Sequence, residues 1–344
     1  MSALDRVNVC VVGSGRAGLI HARNVARRIA GARLAVLCDA NAASLRQAGA
    51  ELGQAELVED FRQAVTRDEV HAVVIATPTF LHRDIACLAA RHGKHVFLEK
   101  PMAVTVRECH EIAQAAERAK TKLQIGFMRR FDERFRQAKQ TLESGELGRV
   151  MIIKSTGRGP GGPGAWMYDL SKSNGIIAEV NSHDLDSLRW FAASEVRRVY
   201  AQAANFKSPE AREQFPDFYD NIVAHFRFAD GAFGVVDGTC PAHYGYDARV
   251  EILCEKGALF VGRTEQTGIA TVTADGKFIA PAVKSWRTLF QDAYLAEMEH
   301  FVQCILEDKP PLVTANDGLR ALEMVVAANE SVRTGQPVEL TIDH

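Results

Sequence analysis

A lysine at the end of a short apolar run stands at the centre of the chemistry this chain can do. Glu99-Lys100-Pro101 follows His95-Val96-Phe97-Leu98, which reads as a buried strand. A glycine-rich turn, Gly13-Ser14-Gly15-Arg16-Ala17-Gly18, lies upstream, and Glu179 and His183 lie downstream. A lysine at the mouth of a nucleotide-binding sheet, with a histidine supplied by a second domain, points to hydride transfer coupled to proton transfer. Taken alone, Lys100 reads as a solvated surface charge, and His183 as a structural imidazole in a helical pair with Glu179. The three separated signals together favour one active site.

The glycines carry a specific demand. In Gly13-x-Gly15-x-x-Gly18 the first permits a tight turn, the second lets backbone N–H groups approach a pyrophosphate, and the third lets helix pack on strand. The helix N-terminus adds unpaired donors and partial positive charge. Asp39 falls about 20 residues on, where a carboxylate accepts from ribose hydroxyls and repels a 2′-phosphate. NAD is therefore expected over NADP, although Arg16 and Arg46 keep NADP open. Asp39 also reads as an ordinary N-cap for the helix that follows.

The elements that must position these groups alternate in type. Apolar runs at 7–12, 34–38, 70–76, 96–98 and 123–126 predict strands, and helical patterns at 17–29, 42–52, 81–91 and 106–119 separate them. Near-continuous apolar strands joined by helices require a parallel sheet covered on both faces, doubly wound with right-handed crossovers. Ligands of such sheets bind beyond the carboxyl ends of the strands, so Thr77-Pro78-Thr79 and Glu99-Lys100-Pro101 should both face the nicotinamide half of a cofactor. From about residue 127 the pattern changes. A helix over 131–144 leads to strands at 150–156, 196–206, 219–228, 232–239, 249–254, 258–261 and 270–273, with a helix at 180–191 among them. Strands in succession predict a mostly antiparallel sheet, whose open face suits a substrate site or a subunit interface. Helices at 293–307 and 315–333 and a strand near 338–341 complete the chain. The expected organisation is α/β: a dinucleotide-binding domain over 1–126, then an α+β substrate and oligomerisation domain over 127–344.

Composition narrows the class. A chain of 344 residues exceeds one typical core. Hydrophobic content of 47%, charged content of 24% and a net charge of -2 fit a globular enzyme with no footprint for nucleic acid or anionic membrane. The 7 cysteines are scattered without a CxxC pair and read as buried free thiols in a reducing compartment. No apolar stretch spans a bilayer and no signal peptide is evident, so the cytoplasm is the expected location. A metal is not expected, because His71, His82, His92 and His95 lack a ligand constellation.

The stretches VCVVGSGRAG, VVIATPTFLH, GKHVFLEKP, IGFMRRFD and NGIIAEVNSHDLD, with the C-terminal FVQCILEDKPPLVTANDGLRALEMVVAANESVRTG, resemble the Gfo/Idh/MocA oxidoreductase family. The resemblance spans nearly the whole chain in the family's order. It implies a Rossmann domain, a second domain with a large open sheet that often mediates oligomerisation, a pyridine nucleotide and a sugar or cyclic polyol substrate. It places the catalytic lysine on Lys100 and the catalytic histidine on His183. The aspartate that usually stands four residues before that histidine is Glu179 here. The cofactor contacts it implies are Gly13, Ser14, Gly15, Arg16, Ala17, Gly18, Asp39, Ala76, Thr77, Pro78, His82, Glu99 and Lys100. A homo-oligomer, tetramer or dimer, is likewise an expectation of the family.

Within the family, GFMRRFD and Tyr244-Gly245-Tyr246-Asp247-Ala248-Arg249 are most similar to inositol dehydrogenases, which would put Arg130, Tyr246 and Tyr294 near a polyol. The tyrosines read equally as core or interface aromatics. Those enzymes often carry His-Arg-Asn-Pro where this chain has Gly157-Arg158-Gly159-Pro160, a loss of two hydrogen-bonding side chains that a longer segment through Trp166 and Tyr168 is expected to replace.

The expected reaction is oxidation of a secondary alcohol, with hydride passing to nicotinamide. His183 accepts the hydroxyl proton, Lys100 polarises the same oxygen, and Glu179 orients His183 or binds substrate. A histidine, with an unperturbed pKa near ~6.5, suits that task. Two other readings stay open: a non-catalytic nucleotide-binding regulator of the same fold, and an enzyme using tightly held NAD for transient oxidation during elimination or glycoside cleavage.

Overall fold

The computed structural model describes residues 5–53, 55–266 and 269–341. The chain forms two compact units, one running through Phe131 and adding Asp292–Leu322, the other holding Asp132–Gln291 and the described residues from Glu323 onward. A single cut after residue 126 does not describe this, because a late segment returns to the first unit.

The first unit is built on six parallel strands: β1 (Val7–Val12), β2 (Ala32–Cys38), β3 (Glu56–Val58), β4 (Ala72–Ile75), β5 (His95–Glu99) and β6 (Leu123–Gly126). Their order is β3-β2-β1-β4-β5-β6, so the chain reverses its direction of travel between β1 and β4. That reversal is the crevice where open α/β sheets take ligands. β1 shows why the strands are apolar throughout: five of its six residues, all but Asn8, are buried, as a sheet covered on both faces demands. The returning helix Gln291–Leu306 supplies part of that cover, with Met298, Phe301, Val302 and Ile305 joining Val7, Val9, Val11 and Phe97 in one core. β3 and the short helix Phe61–Val65 are absent from the sequence reading. A three-residue edge strand with Glu56 and Leu57 exposed carries too little pattern to be seen.

Local signals set the helix starts. Asn41 caps Ala42–Leu52 by accepting from the N–H groups of Ala43 and Ser44, and Thr105 with Glu108 forms a reciprocal capping box on Val106–Ala119. At the N-terminal edge of the sheet two histidines accept backbone N–H bonds. Asn8 N–H donates to His71 Nδ1 and Lys122 N–H to His95 Nδ1, each at 3.0 Å.

The second unit holds a mixed seven-stranded sheet. Its strands are β7 (Val150–Arg158), β8 (Val196–Ala204), β9 (Asn221–Phe228), β10 (Phe233–Thr239), β11 (Asp247–Cys254), β12 (Gly257–Val261) and Val338–Glu339. The order is β12-β11-β7-β10-β9-β8 and then Val338–Glu339, antiparallel except for the central β7–β10 pair. The strand expected at 270–273 lies outside this sheet, as the two-residue arm Thr271–Val272 paired with Phe278–Ile279. β9 alternates strictly: Ile222, Ala224, Phe226 and Phe228 are buried, while Val223, His225 and Arg227 are exposed. On the exposed side the Arg227 guanidinium lies 4.5 Å from the ring centroid of its cross-strand neighbour Phe233.

Candidate active site

The glycine turn has the shape that its sequence demands. Gly13 has φ of +100°, and a Cβ on it would lie 2.4 Å from the Ala76 carbonyl oxygen, so only glycine fits. A Cβ on Gly18 would lie 1.8 Å from the Gly13 carbonyl oxygen, which fixes the closeness of helix to turn. Gly15 differs, because a Cβ there would meet nothing within 4 Å. Gly15 caps the helix Arg16–Arg27 without a side-chain hydrogen bond, and no acidic residue occupies the first turn. A helix start without a side-chain cap, no acid in its first turn and an open approach at Gly15 suit a pyrophosphate. The residues present therefore fit a dinucleotide.

Asp39 follows β2 and is half-buried. Its Oδ2 accepts from both the N–H and the hydroxyl of Ser14, each at 2.7 Å, and its Oδ1 accepts from Asn41 N–H at 2.8 Å. It is not the N-cap of the next helix; Asn41 is. The carboxylate instead ties the glycine turn to the end of β2 while holding negative charge beside it.

Two further loops leave the same edge of the sheet. Ala76, Thr77 and Pro78 follow β4 and are half-buried, and Lys100 follows β5, also half-buried. His82 joins them: its Nδ1 lies 2.8 Å from the Pro101 carbonyl oxygen and its Nε2 lies 3.0 Å from that of Thr77. The imidazole is almost wholly buried. Burial pushes its pKa below the ordinary range, against the pull of the two carbonyls that favour the charged ring. On the other side of Lys100, Glu99 is buried and its Oε2 accepts the Lys100 N–H at 3.2 Å. Glu99 Oε1 accepts from His21 Nε2 at 2.7 Å. A Cβ on Gly126, the β6 partner of Glu99, would come within 3.1 Å of Glu99 Oε2, so β6 ends in glycine where that carboxylate needs space. Each neighbour of Lys100 is thus held by a buried histidine, a pairing that no spacing rule in the sequence exposes.

Two residues expected near a polyol belong to the first unit's interior. Arg130, 5% exposed, donates to Asp317 Oδ1 at 2.9 Å, and Asp317 Oδ2 also accepts from Thr314. Tyr294 is 3% exposed, and its ring meets the His21 ring edge-on at 5.6 Å.

In the second unit, Glu179 is the last residue of the helix Gly175–Glu179, whereas His183 belongs to the next helix, Ser182–Ala192. The helix expected from residue 180 starts at Ser182, with Val180 and Asn181 forming the break. The two residues therefore do not share one continuous helical face. His183 is 6% exposed, near the N-terminus of its helix. That end is planted on the sheet: Asn181 donates to the Gly157 carbonyl oxygen and to Asp184 Oδ2, each at 2.9 Å, and the Ser155 hydroxyl donates to Asp184 Oδ1 at 2.6 Å. Gly157 and Gly238 face each other across β7 and β10. A Cβ on Gly157 would sit 1.8 Å from Asp184 Oδ2, and one on Gly238 would sit 2.2 Å from Asn181 Oδ1. These glycines are the space into which the His183 segment docks.

The rest of the GRGP segment behaves differently. Arg158 pairs with Asp237 and donates to the Tyr244 hydroxyl at 3.2 Å, and that hydroxyl donates to Asp247 at 2.8 Å. Gly159 has room, since a Cβ there would meet Cys240 Sγ at 3.5 Å. Tyr246 is buried, its ring edge-on to Phe290 at 6.3 Å.

Comparison with known proteins agrees with this architecture. Residues 7–127 match the model of the GFO/IDH/MocA oxidoreductase family with an NAD-binding Rossmann fold, and residues 135–260 match the family's C-terminal domain. The chain is 32% identical to the scyllo-inositol 2-dehydrogenase (NAD(+)) of Bacillus subtilis, over 98% of this chain and 97% of that protein. It is 29% identical to the myo-inositol 2-dehydrogenase of Thermotoga maritima, over 97% of this chain and 98% of that one. The crystal structure of scyllo-inositol dehydrogenase from Lactobacillus casei with bound NAD(H) and scyllo-inositol superposes with a TM-score of 0.88. Its identity is 31%, over 97% of this chain and 99% of that one.

Proposed function

This chain belongs to the GFO/IDH/MocA oxidoreductase family, and on that premise we propose that it is an NAD-dependent dehydrogenase acting on a secondary hydroxyl of an inositol-like cyclic polyol or sugar. The single observation that carries the reading is the pinned Glu99-Lys100-Pro101 loop on the sheet edge that also bears the open glycine turn. Relatives named for scyllo- and myo-inositol support the substrate class. NAD, when bound, supplies the hydride acceptor.

The protein's own groups do the remaining work. Gly13, Gly15 and Gly18 admit the pyrophosphate, and Asp39 receives ribose hydroxyls while repelling a 2′-phosphate. Lys100 donates a hydrogen bond to the reacting oxygen and stabilises it as carbonyl character develops. His183 accepts the hydroxyl proton, and Glu179 orients it or binds substrate. Fixing Lys100 through both neighbours lowers the cost of aligning the reactants. The open face of the second unit's sheet suits association into a homo-oligomer, a dimer or tetramer. All 7 cysteines are free and buried, as a cytoplasmic protein allows; no described helix is long and apolar enough to cross a membrane.

Reduced-nicotinamide absorbance tests the reading across inositol isomers, inosamines and sugars, each with NAD and NADP. The expected result is NADH formation with at least one cyclic polyol or sugar. Binding of NAD without turnover of any substrate in the panel would contradict it.

A further inference from the structure

Behind Lys100 lies a cluster that the proposed chemistry does not use. His21 on the helix Arg16–Arg27, Glu99 at the end of β5 and Glu297 on the returning helix Gln291–Leu306 are all buried. One nitrogen or carboxyl oxygen from each lies within 4.8 Å of the other two. Glu297 is 0% exposed, and neither of its carboxyl oxygens meets a hydrogen-bond partner among the described residues; the same holds for His21 Nδ1. Gln124 on β6 donates to the main-chain oxygen of Glu297, not to its carboxyl group. Tyr294, one turn earlier on the same helix, presents its ring to His21.

Two readings of such a cluster are chemically distinct. A cation would neutralise two carboxylates, but His21 Nε2 and Glu99 Oε1 are 2.7 Å apart, a hydrogen-bond length. Ligands held 2.0–2.1 Å from zinc stand roughly 3.3 Å apart. A proton meets the geometry better. Two ionised carboxylates this close in the interior repel each other, and burying an unpaired one is costly. Glu99 already accepts from His21 and from the Lys100 N–H, so it is the one suited to carry the charge. Burial, then repulsion from Glu99, raises the Glu297 pKa well above the ordinary carboxylate value.

We infer that Glu297 is a neutral carboxylic acid at physiological pH, and that His21, Glu99 and Glu297 form a buried proton-sharing triad that positions Lys100. In the triad the Glu297 hydroxyl donates to the Glu99 carboxylate, one oxygen of each group lying within 4.8 Å of the other. Glu99, held from two sides, then fixes the Lys100 N–H through its other oxygen. Glu297 and His21 are positioning residues, and the inference rests on the assignment of Lys100 as the catalytic lysine only for its effect on turnover.

The test separates the two claims. Infrared spectroscopy of the full-length protein at neutral pH should show a buried carboxylic-acid carbonyl band that E297Q lacks. Backbone hydrogen exchange of the segment containing Lys100 should stay slow in E297Q, whose amide mimics the neutral acid. In E297L it should quicken about tenfold, the loss of roughly one hydrogen bond, and kcat should fall with little change in KM for NAD. Three results would overturn the inference: no carbonyl band assignable to Glu297, exchange in E297Q as fast as in E297L, or a stoichiometric metal ion lost on mutation of His21. The infrared and exchange measurements need no substrate, so failure of the dehydrogenase reading is visible separately, as intact spectra with no turnover.

Discussion

His82 Nδ1 lies 2.8 Å from the carbonyl oxygen of Pro101, and the same ring reaches Thr77 through its other nitrogen. One buried side chain therefore sets the spacing of two loops that leave neighbouring strands, β4 and β5. An error of about 1 Å in a reacting group can cost on the order of 10²-fold. H82L is expected to lower kcat by about that factor with NAD affinity changed little, and H82Q, which keeps a donor, to recover part of it. Steady-state kinetics and NAD titration of the two variants check this.

Asp39 carries a charge and a structural tie at once. D39A removes the acceptor for Ser14 and the repulsion of a 2′-phosphate, so NAD should bind at least tenfold more weakly, a loss of roughly 1.5–3 kcal/mol. The preference for NAD over NADP should narrow in the same variant. Dissociation constants for both nucleotides, measured by fluorescence, decide the matter.

Gly157 and Gly159 are two residues apart and answer differently to a methyl group. A Cβ at 157 collides with Asp184, while one at 159 makes ordinary contact with Cys240. G157A should destabilise the protein by about 1–3 kcal/mol and loosen the segment bearing His183. G159A should leave the melting temperature near that of the parent. Calorimetry on the pair is the check, and equal behaviour would show that the docking of Asn181 and Asp184 is misjudged.

The N-terminal sheet edge should be acid-sensitive. Burial, and then the charge of Lys122, push His95 from an ordinary 6.5 down to about 4, and Nδ1 must stay unprotonated to accept Lys122 N–H. The unfolded chain takes up that proton first as pH falls below about 6.5, so stability is lost between pH 6.5 and about 4. Thermal melts over that window should show a falling Tm, with a shallower slope in H95N, whose acceptor does not titrate.

Much of this was legible in the sequence because strong patterns wrote it. Residues 7–12 form a strand and 42–52 and 106–119 form helices as expected, since continuous apolar runs and caps such as Thr105 act locally. β3 was illegible, being three residues long and exposed at an edge. The return of Asp292–Leu322 to the first unit was illegible for another reason: an apolar helical face does not name the core it will join. The helix break at Val180 and Asn181 shows the limit of spacing arguments. Glu179 and His183 have helical separation, yet Asn181 turns aside to bond Gly157 across the sheet. The glycine turn, Lys100 and the family resemblance were visible; His21 and Glu297 were not singled out, and His82 was expected as a cofactor contact and not as the side chain that reaches Pro101 and Thr77, because each acts through tertiary contacts.

Turnover by the parent and K100M, measured side by side on the best substrate of the polyol and sugar panel with NAD binding recorded for both, decides whether Lys100 is the catalytic lysine. NADH formation by the parent, a loss of about 10³-fold or more in K100M and little change in NAD affinity are expected. Near-normal turnover by K100M would contradict that role.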